Sequence, residues 1–304
     1  MTLNITNETG NLELVIVGIA NNNGGVPDIK NTYDPKSRFN IINGTYPEET
    51  KMVGELDNFV SILNSYNVNV YRPKLIENYN QIFSRDIGFV IDNKFIKSNI
   101  LPARSKEINA IDYLLKNIPS DLIISFPDDA HIEGGDVILK DNKIYVGAYI
   151  KSDYKDYITA RTNLKGIETL QKYFPSREVV LLELNKSNYD PQKNILHLDC
   201  SFQPVGSKYT IIHSEGFSNK TQLNNLINDF GIENCFFINS KEMSDMMCNI
   251  ISINKNTVIS DYRFERLNNW LISKGIKVEL ISFAEISKQE GLLRCSTLPL
   301  KRSS

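Results

Sequence analysis

The sequence predicts an α/β fold in which a unit of strand, hairpin and helix recurs along the chain. One pattern occurs four times: two β-rich runs are joined by a short polar turn centred on Asn or Lys, which is typical of a β-hairpin. The four hairpins are predicted at 88–97, 136–146, 202–212 and 249–259. Apolar residues at helical spacing predict helices between the strands. These segments are 48–66, 103–117, 154–173, 220–230 and 262–274.

A short apolar strand is predicted before each hairpin, so the unit returns at intervals of roughly 50 to 65 residues. These strands are 122–126, 179–184, 68–72 and 235–238. A fifth unit is predicted to close from both ends of the chain, with 12–18 beside 278–282 and 292–300. Since no Pro/Gly/Ser linker or abrupt change of composition interrupts the repeat, we predict a single domain over 1–304.

The longest stretch without clear periodicity is 20–46, which is rich in Asn, Gly and Pro. We interpret it as a long loop. Long loops on compact domains often serve as lids over functional sites, and a passive surface insertion is the alternative.

Charge and composition favour a small-molecule partner. The chain has 34 Lys and Arg against 36 Asp and Glu, which provides no basic field for nucleic acid or for an anionic membrane surface. We recognise no signal peptide and no apolar run long enough to span a membrane, so we expect a cytoplasmic protein. The four cysteines are scattered without CxxC spacing, which indicates reduced thiols.

Polar groups that can carry chemistry are concentrated in four short segments. They are Phe83-Ser-Arg-Asp86, His131-Ile-Glu-Gly-Gly-Asp136, His197-Leu-Asp-Cys200 and Gly291-Leu-Leu-Arg-Cys295. Each has an ordinary structural explanation when it is taken alone. A carboxylate can cap a turn, a His and an Asp two apart on a strand can form a structural pair, and a thiol in an apolar run is usually a core residue.

Taken together, the segments suit a reaction on a guanidinium group. The planar cation must be held by carboxylates through parallel N–H···O bonds, and Asp86 and Asp199 are candidates for this binding. Attack on the central carbon requires a thiolate, for which Cys295 is the candidate. A free thiol is mostly protonated at neutral pH, so a bound guanidinium next to the sulfur would have to favour its ionised form.

Proton transfer in such a reaction suits a histidine, and His197 is the candidate general acid and base. Glu133 is the candidate partner that accepts a hydrogen bond from the other ring nitrogen. The adjacent glycines, 134 and 135, would let the backbone turn tightly or approach a ligand. Asp136 either hydrogen-bonds within this turn or contacts the substrate.

These four segments, in this order and with Cys295-Ser-Thr-Leu-Pro-Leu300 near the end, resemble the pentein superfamily of guanidino-group-modifying enzymes. The resemblance extends over nearly the whole chain. It implies a five-bladed, pseudo-symmetric α/β propeller with a central active site. It also implies that Cys295 carries a covalent amidino (thiouronium) intermediate, that His197 acts as acid and base with support from Glu133, and that Asp86 and Asp199 bind the guanidinium.

The resemblance leaves two reactions open. Water attacking the intermediate gives a hydrolase of the deiminase or dimethylarginine dimethylaminohydrolase type, which we favour because Glu-Gly-Gly-Asp is similar to the hydrolases. A second amine gives an amidinotransferase, to which Tyr46-Pro-Glu48 and Val70-Tyr-Arg-Pro73 show some similarity. A Cys/His thiol hydrolase acting on peptides and a catalytically silent binding propeller are further alternatives.

We expect no metal and no cofactor, because the three histidines are scattered and the cysteines are not clustered. Arg85 and Arg294 could bind a substrate carboxylate through their forked guanidinium groups, or could form structural ion pairs. Homodimers are common in the superfamily, so a homodimer is possible here by analogy.

Overall fold

The strands form five separate sheets of three strands each in the computed structural model, which describes residues 1–303. The strands are β1 (Asn11–Val17), β2 (Asn69–Tyr71), β3 (Gly88–Ile91), β4 (Lys94–Lys97), β5 (Ile123–Ser125), β6 (Val137–Lys140), β7 (Lys143–Ala148), β8 (Glu178–Glu183), β9 (Phe202–Val205), β10 (Tyr209–Ile212), β11 (Cys235–Phe237), β12 (Ile251–Asn254), β13 (Thr257–Asp261), β14 (Lys277–Ile281) and β15 (Thr297–Ser303). The α-helices are α1 (Pro35–Ile42), α2 (Glu49–Ser65), α3 (Asp112–Leu115), α4 (Leu164–Tyr173), α5 (Lys220–Phe230), α6 (Ser240–Ser244) and α7 (Glu265–Ser273).

All four predicted hairpins are present, as the antiparallel pairs β3–β4, β6–β7, β9–β10 and β12–β13. The third strand of each sheet comes after the hairpin and pairs in parallel with its second strand, as β8 does with β7. Parallel neighbours cannot be joined by a tight turn, so a crossover that contains a helix connects them. The predicted order, with the third strand before its hairpin, is therefore wrong.

The two ends of the chain share one sheet. Strand β1 lies between β15, which is antiparallel to it, and β2, which is parallel to it. The prediction that both ends close one unit is confirmed, but its third strand is wrong. Segment 278–282 pairs with β13 as part of β14, and segment 68–72 supplies β2 to the terminal sheet.

These sheets and helices confirm the predicted α/β repeat. Within residues 1–303 the five sheets remain separate, with no ladder of strands that closes them into one sheet. Their arrangement as propeller blades therefore stays a prediction. Buried apolar side chains form two clusters. One includes the inner faces of α2, α5 and α7, and the other lies between α4 and strands β3 to β7.

Three of the five predicted helices, 48–66, 220–230 and 262–274, are confirmed as α2, α5 and α7. Segment 103–117 is instead a series of short 3-10 turns that ends in α3. Segment 154–173 becomes an α-helix only at α4, where the Asn163 side chain accepts a hydrogen bond of 2.8 Å from the backbone N–H of Gly166. Side chains of both segments point into the site described below, and these tertiary contacts outweigh helix propensity.

The stretch 20–46, interpreted as a loop, contains helix α1. The carboxylate of Asp34 caps this helix by accepting the N–H of Ser37 at 2.6 Å, and Pro35 occupies the first helical position. An acidic N-cap followed by proline is a start signal that the sequence already carries. The amide of Asn40 donates to the Lys288 carbonyl at 3.0 Å, which attaches α1 to the segment that leads to Cys295.

Candidate active site

The candidate residues occupy corresponding places in the five sheets, just before a strand at the start of an antiparallel pair. Asp86 precedes β3, Glu133 precedes β6, Asp199 precedes β9 and Cys295 precedes β15. In the remaining sheet Asn249 precedes β12. Because the units repeat, residues far apart in sequence meet at one place, as the contacts below show.

His197 is the centre of this cluster and is almost fully buried. Its Nε2 lies 2.7 Å from Oε2 of Glu133, and its Nδ1 lies 3.7 Å from Oδ1 of Asp86. Burial alone would lower the pKa of the imidazole. The negative charge of Asp86 and the hydrogen bond to Glu133 outweigh it and raise the pKa of His197 to about 9. His197 is therefore an imidazolium at neutral pH and can donate a proton.

Glu133 is held by a second cation that sequence reasoning missed. Arg161 donates from Nη1 to Oε2 of Glu133 at 3.2 Å and from Nη2 to the Tyr33 carbonyl at 2.9 Å. Burial opposes ionisation of Glu133, but the charge of Arg161 and the hydrogen bond from His197 lower the pKa of the carboxyl to about 2. Arg161 lay within a predicted helix, so no sequence signal set it apart from an ordinary helical residue.

One carboxylate oxygen of Asp86 accepts a hydrogen bond from an arginine, and the other accepts none from residues 1–303. Arg104 donates from Nη1 to Oδ2 at 2.6 Å, and also binds both carboxylate oxygens of Glu107 at 2.7 and 2.9 Å. Oδ1 of Asp86 is buried and has no hydrogen-bond partner among residues 1–303. A buried acceptor without a partner costs about 1–3 kcal/mol. This oxygen is thus available to an N–H group of a ligand.

The sulfur of Cys295 lies between an amide and a carboxylate. The side-chain N–H of Asn249 points to Sγ at 3.1 Å, and the two carboxylate oxygens of Asp199 lie 3.7 and 3.6 Å away. Burial and the negative charge of Asp199 raise the pKa of the Cys295 thiol well above its ordinary value. Without a positive charge beside it, the thiol stays protonated at neutral pH.

Asp199 is in turn fixed by Arg294. Nη1 of Arg294 donates to Oδ2 of Asp199 at 2.8 Å, while Nε and Nη2 contact the carboxylate of Glu8 at 3.3 and 3.2 Å. Arg294 also donates to the Val137 carbonyl at 2.8 Å. All three side chains are buried. Every guanidinium nitrogen of Arg294 is thus engaged within the protein, which favours the structural ion-pair interpretation of this residue over contact with a substrate carboxylate.

Arg85 is likewise turned towards the protein interior. Its Nε donates to the Arg294 carbonyl at 3.3 Å, and its Nη2 donates to the Thr297 hydroxyl at 3.1 Å. Burial, together with the charge of nearby Arg294, lowers the pKa of Arg85 to about 9. These contacts favour a structural role for Arg85 as well. The arginines that contact Asp86 and Glu133 are instead Arg104 and Arg161.

Asp136 supports the turn that carries His197. One carboxylate oxygen accepts the Thr162 hydroxyl at 2.7 Å and the other accepts the backbone N–H of Leu198 at 2.9 Å. Both oxygens are occupied, which favours the internal alternative over substrate contact. The neighbouring glycine, Gly135, allows this close approach, because a Cβ there would lie 2.7 Å from Cγ of His197.

A cavity of about 290 Å³ lies beside the cluster and is lined largely by the 23–46 segment together with Phe83, Arg104 and Glu107. The ring of Tyr33, which also lines it, has its centroid 6.0 Å from Cζ of Arg104 and 5.7 Å from Cζ of Arg161. An aromatic face near two guanidinium groups is a favourable cation–π arrangement. The stretch interpreted as a loop therefore forms one wall of a cavity that is connected to the cluster through Arg104, the partner of Asp86.

Asp86, Glu133 and His197 each place one potential ligand atom within 4.8 Å of the others, which is a geometry that could hold a metal ion. Two features oppose metal binding. Asp86 and Glu133 are already neutralised by Arg104 and Arg161. In addition, His197 is protonated at neutral pH, whereas a metal ligand must be the neutral imidazole.

Among residues 1–303, none of the helices has the length and apolar character needed to cross a bilayer.

Comparison with known proteins identifies the family. A family model described as eukaryotic N,N-dimethylarginine dimethylhydrolase matches residues 43–302, which is most of the chain. The chain belongs to this dimethylarginine dimethylhydrolase family. The family places it in the pentein superfamily, as the motifs around Asp86, Glu133, His197 and Cys295 predicted.

This dimethylarginine dimethylhydrolase family member has similar sequences in several bacteria. The uncharacterized protein YkgA of Bacillus subtilis (strain 168) is 31% identical over 250 residues, which cover 80% of this chain and 78% of YkgA. The arginine deiminase of Listeria monocytogenes serotype 4a (strain HCC23) is 25% identical over 263 residues, covering 74% of this chain. The chain matches only 62% of that deiminase's length.

The fold of the family member is similar to that of SxtG, an amidinotransferase from Microseira wollei in the saxitoxin biosynthetic pathway. The two structures superpose with a TM-score of 0.77, covering 99% of this chain and 98% of SxtG, at 19% sequence identity. At this identity the likeness concerns the fold alone.

We expect Arg294→Met to destabilise this dimethylarginine dimethylhydrolase family member by roughly 3–5 kcal/mol, because it leaves two buried carboxylates without their cation. Those carboxylates belong to Glu8 and Asp199. Urea denaturation of both proteins measures the difference. The matched control is Lys301→Met, which breaks a half-exposed ion pair with Glu13 and should cost less than about 1 kcal/mol. An equal decrease in the free energy of unfolding in the two variants would contradict the expectation.

Proposed function

We propose that this chain modifies the guanidino group of arginine or an arginine derivative through a covalent intermediate on Cys295, and that the reaction is hydrolytic. The observation that carries the proposal is the set of groups around the sulfur. A buried thiol lies 3.6 Å from the nearer carboxylate oxygen of Asp199, in a cluster that also holds the unoccupied Oδ1 of Asp86 and a protonated His197. A planar cation with N–H donors suits this site better than a neutral substrate does.

The guanidinium would be bound by Asp86 and Asp199, each of which keeps an arginine on one oxygen. In the free protein the neighbouring carboxylate opposes ionisation of Cys295. A bound cation next to the sulfur reverses that local field and favours the thiolate. The substrate would thus activate the nucleophile that attacks it, and in its absence the buried thiol would react only slowly with other molecules.

Chemistry would then proceed in two halves. The thiolate adds to the guanidinium carbon, a C–N bond breaks, and His197 donates its proton to the departing amine, which leaves a thiouronium group on Cys295. The neutral His197 accepts a proton from water as the oxygen bonds to the same carbon. The C–S bond then breaks, the hydroxyl of the adduct gives its remaining proton to solvent as the ureido carbonyl forms, and Cys295 is left as the thiolate. Glu133 keeps the imidazole oriented and basic through both halves.

We propose that the far end of the substrate lies in the cavity beside Tyr33. Arg104 lines this cavity, and Cζ of Arg161 lies 5.7 Å from the centroid of the Tyr33 ring. Every guanidinium nitrogen of these two arginines already donates within the protein, so they hold the walls of the cavity in place rather than bind a substrate carboxylate.

Hydrolysis is supported by the match to the dimethylhydrolase family and by the arginine deiminase relative. Transfer of the amidino group to an acceptor amine is the second candidate, since the same fold also occurs in SxtG, an amidinotransferase. Both reactions share the Cys295 intermediate and differ in whether water or an amine resolves it.

We also propose that 1–304 is one catalytic domain whose five sheets surround this site as blades, since four sheets supply its candidate residues and the fifth supplies Asn249.

The test is incubation with arginine, methylated arginines and agmatine, each with and without an acceptor amine such as glycine. Citrulline or another ureido product, free amine and ornithine are quantified, and the intact protein mass is followed after acid quenching. Ureido product without acceptor, with a mass increment on Cys295, would support hydrolysis. Product only with acceptor would move the assignment to amidino transfer. Absence of both turnover and adduct with every guanidine would contradict the proposal.

A further inference from the structure

Asn249 makes two hydrogen bonds with Cys295 and a third with the preceding residue, Arg294. Its side-chain Oδ1 accepts the backbone N–H of Cys295 at 3.0 Å, and its side-chain Nδ2 donates to Sγ at 3.1 Å. Its backbone carbonyl accepts the N–H of Arg294 at 3.2 Å. The residue is completely buried. One asparagine therefore holds both the backbone and the side chain of the proposed nucleophile.

The orientation of the Asn249 amide follows from this contact pattern. The oxygen and nitrogen of an amide are assigned from their hydrogen-bond partners. A backbone N–H can only donate, so the atom facing the N–H of Cys295 must be Oδ1. The opposite atom, which faces the sulfur, is then the NH₂ group. The polarity of the contact with Sγ is thereby fixed as N–H donor to sulfur acceptor.

The side-chain N–H of Asn249 opposes the negative charge that lies near the sulfur. Sγ also lies 3.7 and 3.6 Å from the carboxylate oxygens of Asp199, which disfavour a negative sulfur. An amide N–H favours the thiolate over the thiol, because a hydrogen bond to a charged acceptor is stronger than one to a neutral acceptor. Asn249 also occupies the place before β12 that corresponds to the places of Asp86 and Cys295 in their own sheets.

We propose that Asn249 is a catalytic residue that stabilises the Cys295 thiolate through its side-chain N–H. The proposal rests on the proposed function in assigning Cys295 as the nucleophile. The alternative is a structural asparagine that serves only as acceptor for the backbone N–H of Cys295. Asn249→Asp keeps an acceptor at Oδ1 and replaces the donor by a second, charged oxygen, so wild-type alkylation of this variant would exclude any need for the donor.

The experiment measures alkylation of Cys295 by chloroacetamide between pH 6 and pH 10. Mass spectrometry of the peptide that contains Cys295 separates its reaction from that of the three other cysteines. The proteins are the wild type, Asn249→Asp, Asn249→Ala and, as a matched control, Asn268→Ala. Asn268 is another buried asparagine, which lies on helix α7 and donates to the carbonyl of Asp261 at the end of β13. Thermal unfolding of each protein checks that all four are folded under the conditions of the alkylation.

We expect alkylation at fixed pH to be about tenfold slower or worse in both Asn249 variants, which corresponds to a thiol pKa raised by about one unit. Asn249→Asp should be impaired at least as much as Asn249→Ala, and Asn268→Ala should match the wild type. Wild-type alkylation in Asn249→Asp together with slow alkylation in Asn249→Ala would establish the acceptor role alone and overturn the proposal. Equal rates in all four proteins would also overturn it.

This readout is independent of guanidine turnover. If alkylation responds as expected while no guanidine is converted, the role of Asn249 at the sulfur stands and the proposed function fails. If guanidines are converted and kcat is unchanged in Asn249→Asp, the proposed function stands and the role of Asn249 fails.

Discussion

Replacing Cys295 with serine is expected to reduce guanidine turnover by roughly ten-thousandfold or more, because a hydroxyl in this environment cannot supply the nucleophile. Burial and Asp199 already hold the pKa of the thiol well above its ordinary value, and a serine hydroxyl is far less acidic still. Steady-state product formation measures the loss. Intact mass after acid quenching should show no adduct on the variant.

The matched control is Cys235→Ser. Cys235 begins β11, is only partly buried and contacts the Gly231 carbonyl. It should keep wild-type turnover and the adduct on Cys295. Thermal unfolding of Cys295→Ser should remain close to that of the wild type, since the substitution changes one atom. Turnover in Cys295→Ser within tenfold of the wild type would contradict the assignment of the nucleophile.

Replacing Glu133 with glutamine is expected to reduce kcat by about a hundredfold to ten-thousandfold and to move the pH profile. In the native protein His197 loses its proton only near pH 9, because Asp86 and Glu133 together outweigh burial. Without the charge of Glu133, burial and the now unneutralised Arg161 lower the pKa of the imidazole. The alkaline limb of kcat/KM, which follows loss of the general acid, should therefore shift to lower pH.

The shift is measured from kcat/KM between pH 5 and pH 10 with the best substrate found. Glu242→Gln is the control, because Glu242 pairs with Arg266 away from the cluster and its loss should leave the profile unchanged. Chemical denaturation distinguishes lost catalysis from lost folding. A Glu133→Gln enzyme with reduced kcat and an unmoved alkaline limb would contradict the role assigned to the Glu133–His197 contact.

Much of the candidate site is readable from the sequence because its residues lie in short local motifs. Asp86, Glu133 and His197 each stand before a strand that alternation and turn residues predict. Cys295 lay inside the predicted strand 292–300, and the structure begins that strand only at Thr297. The same local signals predict the hairpins and helices α2, α5 and α7. The chemistry of a thiol, a histidine and several carboxylates limits the reactions that such a set can serve.

Other members of the cluster had no local signal. Arg104 and Arg161 lay inside segments with helical periodicity, and only contacts with Asp86 and Glu133 draw them into the site and interrupt those helices. Asn249 marked the start of a predicted hairpin and was otherwise an ordinary turn residue. The start of α1 is a different case, since Asp34-Pro35 carries the signal in the sequence.

The sequence by itself determined the elements of the repeat, the order of the motifs and the residue types available for catalysis, because these depend on local periodicity and side-chain chemistry. Only the tertiary structure decided which third strand joins which hairpin, since parallel pairing depends on the path of the crossover. It also decided the roles of the arginines. Arg85 and Arg294 bond within the interior while Arg104 and Arg161 hold the carboxylates around His197, because a buried charge takes the partners that the fold brings within reach.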